Sequence, residues 1–382
     1  MKHLGDITKI DGTKAPVVDV VIGGSPCQDL SIAGKRAGLD GERSGLFMEQ
    51  IRIIKEMRNE DERNGRTGVD VRPRYMVWEN VHGAFSSNKG EDFRIVLEET
   101  AKVADKNAVI PRPADGKWKN CGCIMGRGYS ISWRVLDAQF WGVPQRRRRI
   151  ALVADFGGQS AQEILFVRKS VSGYSEQGKS KGKEASNYVS RSIGKTDCIG
   201  FDGYNGDLTG SKSSTLGVNC GFTTGRNGVI VYSVDQGGGK SACNISEGKS
   251  PTLTCTHGGE PAVCYNQTAR RLTPLECERL QGFPDGWTDI GEWTDSNGKK
   301  RKSSDTARYY ALGNSIALPP WKWVLKRLCA CYERDATMAS LFDGIGGFPY
   351  LWEQINGKGS CLWASEIEEF PIAVTKMRIG GD

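Results

Sequence analysis

Two apolar runs in this chain stop on paired glycines and hand over to a helical pattern, and this device sets the fold. In "APVVDVVIGG" (15–24) the β-branched residues end at Gly23 and Gly24, and in "MASLFDGIGGFPYLWE" (338–353) the run ends at Gly346 and Gly347. A run without a polar face reads as a strand covered on both sides. Behind the first run, residues 44–58 place Leu46, Phe47, Ile51 and Ile54 at helical spacing. "RYMVWENV" (74–81) and "FRIVLEETAKVA" (93–104) repeat strand and helix, residues 131–156 read as strand, turn, strand, and "CLWASE" (361–366) is a further strand. Such alternation predicts an α/β chain with a doubly wound, Rossmann-like sheet, whose ligands sit at the carboxyl ends of the strands.

The alternation stops after Phe156. Residues 170–270 are rich in Gly, Ser, Thr and Asn, with short β-like pieces and no helical pattern. Within them, 200–232 and 233–265 share an order: an Asp, a polar turn, a Thr-Leu pair, a cysteine, then an apolar strand ending in Tyr. This weak duplication suits a twisted β module with long loops. Order returns at 272–283, a capped helix with Thr273 as N-cap, Pro274 at the first position and Glu276 completing a capping box. Residues 289–305 read as a polar, basic loop, and 309–333 as a glycine turn entering a helix. The expected division is a first part of one domain at 1–159, a smaller β-rich domain at 160–307, and the rest of the first domain at 308–382.

Composition excludes more than it selects. The balance of 52 Lys+Arg against 45 Asp+Glu gives +7, which permits a polyanionic partner without requiring one. No run nears the ~18 apolar residues of a membrane span. "MKHLGDITKIDG" has no apolar signal-peptide core, so a cytoplasmic protein is expected. The twelve cysteines include Cys121/Cys123 and Cys329/Cys331, CxC pairs and not CxxC repeats, beside only three histidines. Reduced thiols and no metal are the expectation.

Four stretches carry chemistry. Cys27 follows Pro26 at the carboxyl end of the first strand, where a thiol is displayed at the sheet's active edge. The loop behind it, "IAGKRAGLDGERSG" (32–45), holds Lys35, Arg36 and Arg43 and suits closure over a phosphate backbone. Glu79, between Trp78 and Val81 at another strand end, is expected to be partly desolvated and to keep a proton near neutral pH. In "PQRRRRI" (144–150), strand alternation sends Gln145, Arg147 and Arg149 to one face and Arg146 and Arg148 to the other. Two guanidiniums facing the site would contact a base and a phosphate; a solvated basic edge strand is the plainer reading. The turn "LFDGIGGF" (341–348) is not GxGxxG, but Glu366 ends the next strand, where an acid grips ribose hydroxyls in such sheets.

Together these residues resemble the cytosine-C5 DNA methyltransferase family. The cofactor turn is Phe342-Asp343-Gly344-Ile345-Gly346-Gly347, the ribose acid Glu366, and the adenine-binding segment Gly5-Asp6-Ile7. The nucleophile motif is Pro26-Cys27-Gln28, the acid motif Glu79-Asn80-Val81, and the Gln-x-Arg-x-Arg motif Gln145, Arg147 and Arg149. "RLTPLECERLQGFP" (271–284) matches the scaffold motif, and Gly313-Asn314-Ser315 the last cofactor motif. In the family the cofactor turn comes first and Gly-Asn-Ser last. Here the turn and Glu366 follow Gly-Asn-Ser, and Gly-Asp-Ile stands near residue 1, so the motif order is circularly permuted.

The resemblance implies a DNA (cytosine-5-)-methyltransferase that flips its target base from duplex DNA. It implies Cys27 as nucleophile at C6, Glu79 against N3, Arg149 with Arg147 behind it on O2, and Asn80 orienting the Pro-Cys segment, with Gln28 beside it. S-adenosyl-L-methionine is the implied cofactor. Phe342 and the Gly344–Gly347 turn would line its methionine end, Glu366 its ribose and Asp6 its adenine amino group. Ile367, Ile7 and Leu46 would form apolar walls, and Pro26, Asn314 and Ser315 would complete the cleft. Ile367 stands where relatives often carry an aromatic residue, and Ala311 where many carry Gln. Ser31, Lys35, Arg36, Arg43 and Arg226 are implied DNA contacts, with Asn219, Thr223, Thr224, Gln236 and His257 as candidate readers of sequence. A monomer in a prokaryotic cell or phage-infected host, near the nucleoid, is implied; a restriction endonuclease is a possible companion. An RNA methyltransferase of the same fold and a DNA-binding module without activity are the rival readings.

Overall fold

The expected alternation folds into one eight-stranded sheet. The computed structural model describes residues 1–25, 45–167 and 272–380, and between 199 and 271 the backbone of eight short strands. The sheet strands are β1 (Lys2–His3), β2 (Val20–Gly23), β3 (Tyr75–Val81), β4 (Cys121–Gly126), β5 (Tyr129–Asp137), β6 (Arg148–Asp155), β7 (Met338–Leu341) and β8 (Cys361–Ser365). Their spatial order is β1-β8-β7-β2-β3-β6-β5-β4. From β1 to β3 all neighbours are parallel; β6, β5 and β4 are antiparallel.

Period-two alternation gives the sheet two apolar faces. Val20, Ile22, Tyr75 and Val77 point to one, Val21, Met76 and Trp78 to the other, all fully buried. The first face is covered by α4 (Pro274–Gln281), α6 (Leu318–Cys329), α7 (Gly347–Asn356) and α8 (Glu369–Ile379), through residues such as Leu280, Trp321, Val324, Leu351, Trp352, Phe370 and Val374. The second is covered by α1 (Gly45–Arg63) and α2 (Glu91–Ala101), through Phe47, Ile51, Ile54, Phe93 and Leu97. A short α3 (Ala161–Leu165) and α5 (Asp305–Asn314) complete the described helices.

Chain order and spatial order part company at β7. Met338 pairs with Val20 on one side and Cys361 on the other, so the last two strands of the chain lie inside the sheet, between β1 and β2. β1 lies outside β8, with Lys2 opposite Trp363. The Met1 amino group stands 3.5 Å from the Gly380 carbonyl, which places the two ends of the permuted order side by side.

The segment leading from α6 into β7 is tied down by one carboxylate. Asp19, buried at the start of β2, accepts from both Arg334 terminal nitrogens at 2.6 and 2.8 Å and from the Thr337 amide at 2.8 Å. Burial alone would raise Asp19; the Arg334 guanidinium and the Thr337 amide and hydroxyl hold it below the usual carboxylate range.

Two local expectations change. The 289–305 loop contains a hairpin, Glu292–Thr294 against Lys300–Lys302, because Asp295 accepts the Asn297 and Lys299 amides and closes the turn. Gly313 lies in the last turn of α5 and not in a turn before a helix; the break comes at Ser315–Ala317, ahead of the prolines that start α6. Among the described residues no helix is long and apolar enough to cross a membrane, and no group of three or more His, Cys, Asp or Glu is placed to hold a metal.

Candidate active site

The carboxyl ends of β1, β8, β7, β2 and β3 form one edge, and it holds two clusters. The first surrounds the turn after β7. Phe342 takes a left-handed backbone (φ 56°), a costly state for a residue with a side chain and one found mostly at functional sites. Gly344 is also left-handed (φ 56°), and a Cβ there would meet nothing within 4 Å. Its amide donates to Glu366 Oε2 at 2.7 Å, while Oε1 accepts from the Ile367 and Glu368 amides at 2.8 and 3.0 Å. Glu366 is thus oriented by backbone donors from two turns, the one after β7 and its own after β8. Gly346 and Gly347 serve packing: a Cβ would fall 2.8 Å from Ile379 Cδ1 in the first case and 2.9 Å from Ile316 Cγ1 in the second.

Asp343 sits beneath this turn. Its Oδ1 accepts from Ser340 Oγ at 2.6 Å, and its Oδ2 is buried without a hydrogen-bond partner. Burial, with the Glu366 charge adding to it, pushes the Asp343 carboxyl up to about 8 against the opposing Ser340 hydroxyl. Beyond neighbouring β1 the chain continues to a half-buried Asp6, which caps a short 3-10 helix through the Thr8 amide at 3.0 Å. Ile367 is 68% exposed on this edge, whereas Ile7 is a core residue at 4% and Leu46 is half-buried against the same core. The Ile7 side chain packs inward against that core.

The second cluster lies where β2 and β3 end. Arg149 Nε stands 2.9 Å from Glu79 Oε1, with both side chains largely buried. Glu79 is largely buried, in keeping with the partial desolvation expected, and it also faces a guanidinium. Arg149 pairs in register with Val81 and reaches diagonally to Glu79. Asn80 Nδ2 donates to the Ser25 carbonyl at 3.3 Å, and Trp78 Nε1 to Ser25 Oγ at 3.0 Å. These bonds anchor the backbone just before Pro26. The strand-ending glycines have a reason here: a Cβ on Gly23 would lie 2.4 Å from Gln50 Oε1, and one on Gly24 2.9 Å from Glu79 Oε2. Ser25, Trp78 and Gln50 were legible only as a glycine-adjacent serine and two ordinary core positions.

The arginine run divides where alternation predicted a common face. Gln145–Arg146 pairs with Ser213–Ser214, the strand breaks at Arg147, and β6 begins at Arg148. The Arg147 amide donates to Asp137 Oδ1 at 3.1 Å, and its guanidinium turns to the carbonyls of Gly313 and Ser315. Arg147 thus ties the α5–α6 break, next to exposed Asn314 and buried Ser315, and only Arg149 reaches Glu79. Gln145 is fully buried. α4 holds both clusters: Gln281 donates to the Leu312 carbonyl at 2.6 Å, and Trp287, just beyond the helix, donates to the Ile345 carbonyl at 2.8 Å. Pro26, Cys27, Gln28, Ser31, Lys35, Arg36, Arg43, Asn219, Thr223, Thr224, Arg226 and His257 lie outside the described residues, and Gln236 is described in its backbone alone.

The chain is similar to known methyltransferases in sequence. The family model for C-5 cytosine-specific DNA methylase matches residues 1–104 and 124–329. The glycine turn and Glu366 lie beyond the match, as the permuted order requires. A DNA N-6-adenine-methyltransferase of Escherichia phage P1 is 28% identical over 88% of this chain, which spans 56% of that protein. Type II methyltransferase M1.ScrFI of Lactococcus lactis subsp. cremoris is 27% identical over 87% of this chain and 67% of its own length. The crystal structure of S. pombe Dnmt2 methyltransferase aligns at 16% identity and a TM-score of 0.43, over 85% of this chain and 82% of that one. With the family model matching residues 1–104 and 124–329 of its 382, this chain belongs to the C-5 cytosine-specific DNA methylase family.

Proposed function

We infer that the chain transfers a methyl group to C5 of a flipped-out cytosine in a specific duplex DNA site. The observation that carries this is the Glu79–Arg149 pair beside the Ser25 anchor, where the chain enters Pro26–Cys27. In this reading the Cys27 thiolate bonds to C6 of the ring, and electron density moves to C5. Glu79 hydrogen-bonds N3 and Arg149 meets O2, where negative charge develops. After methyl transfer, loss of the C5 proton re-forms the C5–C6 double bond and expels the thiolate. Asn80 acts through Ser25 on the position of Cys27, and Arg147 positions the Gly313–Ser315 segment; both are positioning residues.

The residues of the first cluster suit S-adenosyl-L-methionine. Gly344 leaves open space where any other residue would project, Glu366 is held by three backbone amides, and exposed Ile367 and half-buried Asp6 flank it. When bound, the cofactor supplies an electrophilic methyl on a sulfonium. Phe342 and the Gly344–Gly347 turn would hold its methionine end, Glu366 its ribose hydroxyls and Asp6 its adenine amino group.

Incubation with cofactor and duplex DNA containing 5-fluorocytosine tests the reading. A covalent complex is expected, and Cys27→Ser should abolish it while cofactor binding persists. A folded sample that traps nothing overturns the covalent route. Nucleoside analysis of methylated DNA should give 5-methylcytosine; N6-methyladenine, the product named for the phage relative, would overturn the assignment of the base.

A further inference from the structure

The family match skips residues 105–123, and the structure gives that skipped segment a place. From the end of α2 it returns to the carboxyl edge of the sheet, where β4 begins at Cys121 beside β5. His82, directly after β3, meets Asn120 Oδ1 through Nε2 at 2.9 Å. Arg112 donates to the Lys89 carbonyl at 2.6 Å. Trp118 fixes the segment from beneath: Nε1 donates to the Gly90 carbonyl at 2.8 Å, and the ring packs edge-on against Phe93 and Trp133. Trp133 in turn donates to the Lys119 carbonyl at 3.0 Å.

This anchoring leaves Arg112, Lys117 and Lys119 exposed beside Lys89, and none of the four makes an ion pair with a described residue. Asp115 is the one acid among residues 112–120, and it is engaged with the Lys117 amide at 3.0 Å. Four unpaired cations on a rigid, aromatic-backed support are a poor device for stability, since exposed charges contribute little to folding. They are a suitable one for a polyanion, whose condensed counterions are released on contact.

We propose that this segment is a landing for the phosphate backbone of duplex DNA flanking the target base, with Lys117, Lys119 and Lys89 as phosphate contacts and Trp118 as the support. The proposal rests on the reading that the site acts on duplex DNA. It adds a binding surface built mainly from residues outside the family match, with Lys89 just inside it, so affinity here depends on flanking duplex as well as on the recognised site.

The test is the salt dependence of binding to a mixed-sequence DNA duplex of about three helical turns, ~30 bp. Lys117→Gln/Lys119→Gln is compared with the unaltered chain and with Lys117→Arg/Lys119→Arg. The Gln pair should flatten the slope of log K against log salt by roughly 0.9 for each phosphate left without its lysine, and weaken binding on the order of tenfold at 0.1 M salt. The Arg pair should restore both. An unchanged slope and Kd in the Gln pair overturn the proposal, as does a weakening that the Arg pair does not restore. If the unaltered chain neither binds the duplex nor traps 5-fluorocytosine DNA, the parent reading has failed instead.

Discussion

Glu79 and Arg149 show how little of a site's chemistry resides in residue type alone. Each is an ordinary charged residue at a strand end until β3 and β6 bring them to 2.9 Å. Glu79→Gln should keep cofactor binding and lower methyl transfer by about 10²–10⁴, the usual worth of a proton-handling group, as read by tritium incorporation into DNA. Asp343 makes a second prediction at this scale. Its folded value of about 8 lies above the ~3.9 of an unfolded aspartate. The folded chain thus binds a proton more tightly, so this group's stabilisation is whole below pH ~4 and is lost as pH climbs through about 8. Asp343→Asn should remove that decline and gain on the order of 1–3 kcal/mol over the unaltered chain near pH 9, measured by urea melts across pH. The sequence marked both acids. Alternation alone put Arg147 and Arg149 on one face; the resemblance set Arg149 ahead, and the strand break at Arg147, which alternation does not reveal, gives the physical reason the two diverge.

Among the elements, the segment joining α6 to β7 depends on Asp19. Asp19→Asn removes the charge that Arg334 and Thr337 share and should cost about 1–3 kcal/mol of unfolding free energy, read from denaturant melts, a range set by Arg334 being half exposed. Asp19 is depressed in the folded state, so its contribution is present above pH ~4 and lost as pH falls through the folded value. The Asn variant should therefore show a shallower acid denaturation. Local signals were sufficient for α4: Thr273 Oγ1 accepts the Glu276 amide, Glu276 returns to the Thr273 amide, and Gly282 closes the helix in a left-handed turn. They were insufficient for the 292–302 hairpin, whose register depends on Asp295 folding back onto Lys299, and for the tie between Asn120 and His82, residues remote in sequence.

For the whole molecule, the permuted order asks whether α8 still holds Glu366 in place. Phe370, Val374 and Ile379 are buried, Arg378 donates to the Trp287 and Asp289 carbonyls at 2.8 and 2.7 Å, and Thr375 Oγ1 donates to the Gly344 carbonyl at 3.2 Å. These interactions do not use the chain connection between residues 382 and 1. Joining those residues through a short linker and opening the chain within 330–337 should leave cofactor affinity within about threefold, because Met1 and Gly380 are already adjacent and little loop entropy changes. Isothermal titration of both forms checks this; a many-fold gain on joining would mean that α8 frays.

By itself the sequence determined the periodicities, the caps and the glycine turns, all of which follow from chemistry within a few residues. Tertiary structure alone decided that β7 lies between β8 and β2, that Arg149 and not Arg147 meets Glu79, and that Ile7 faces the core. Such outcomes depend on strand order, register and burial, where residues hundreds of positions apart compete for the same partner, and no local pattern encodes which of them wins.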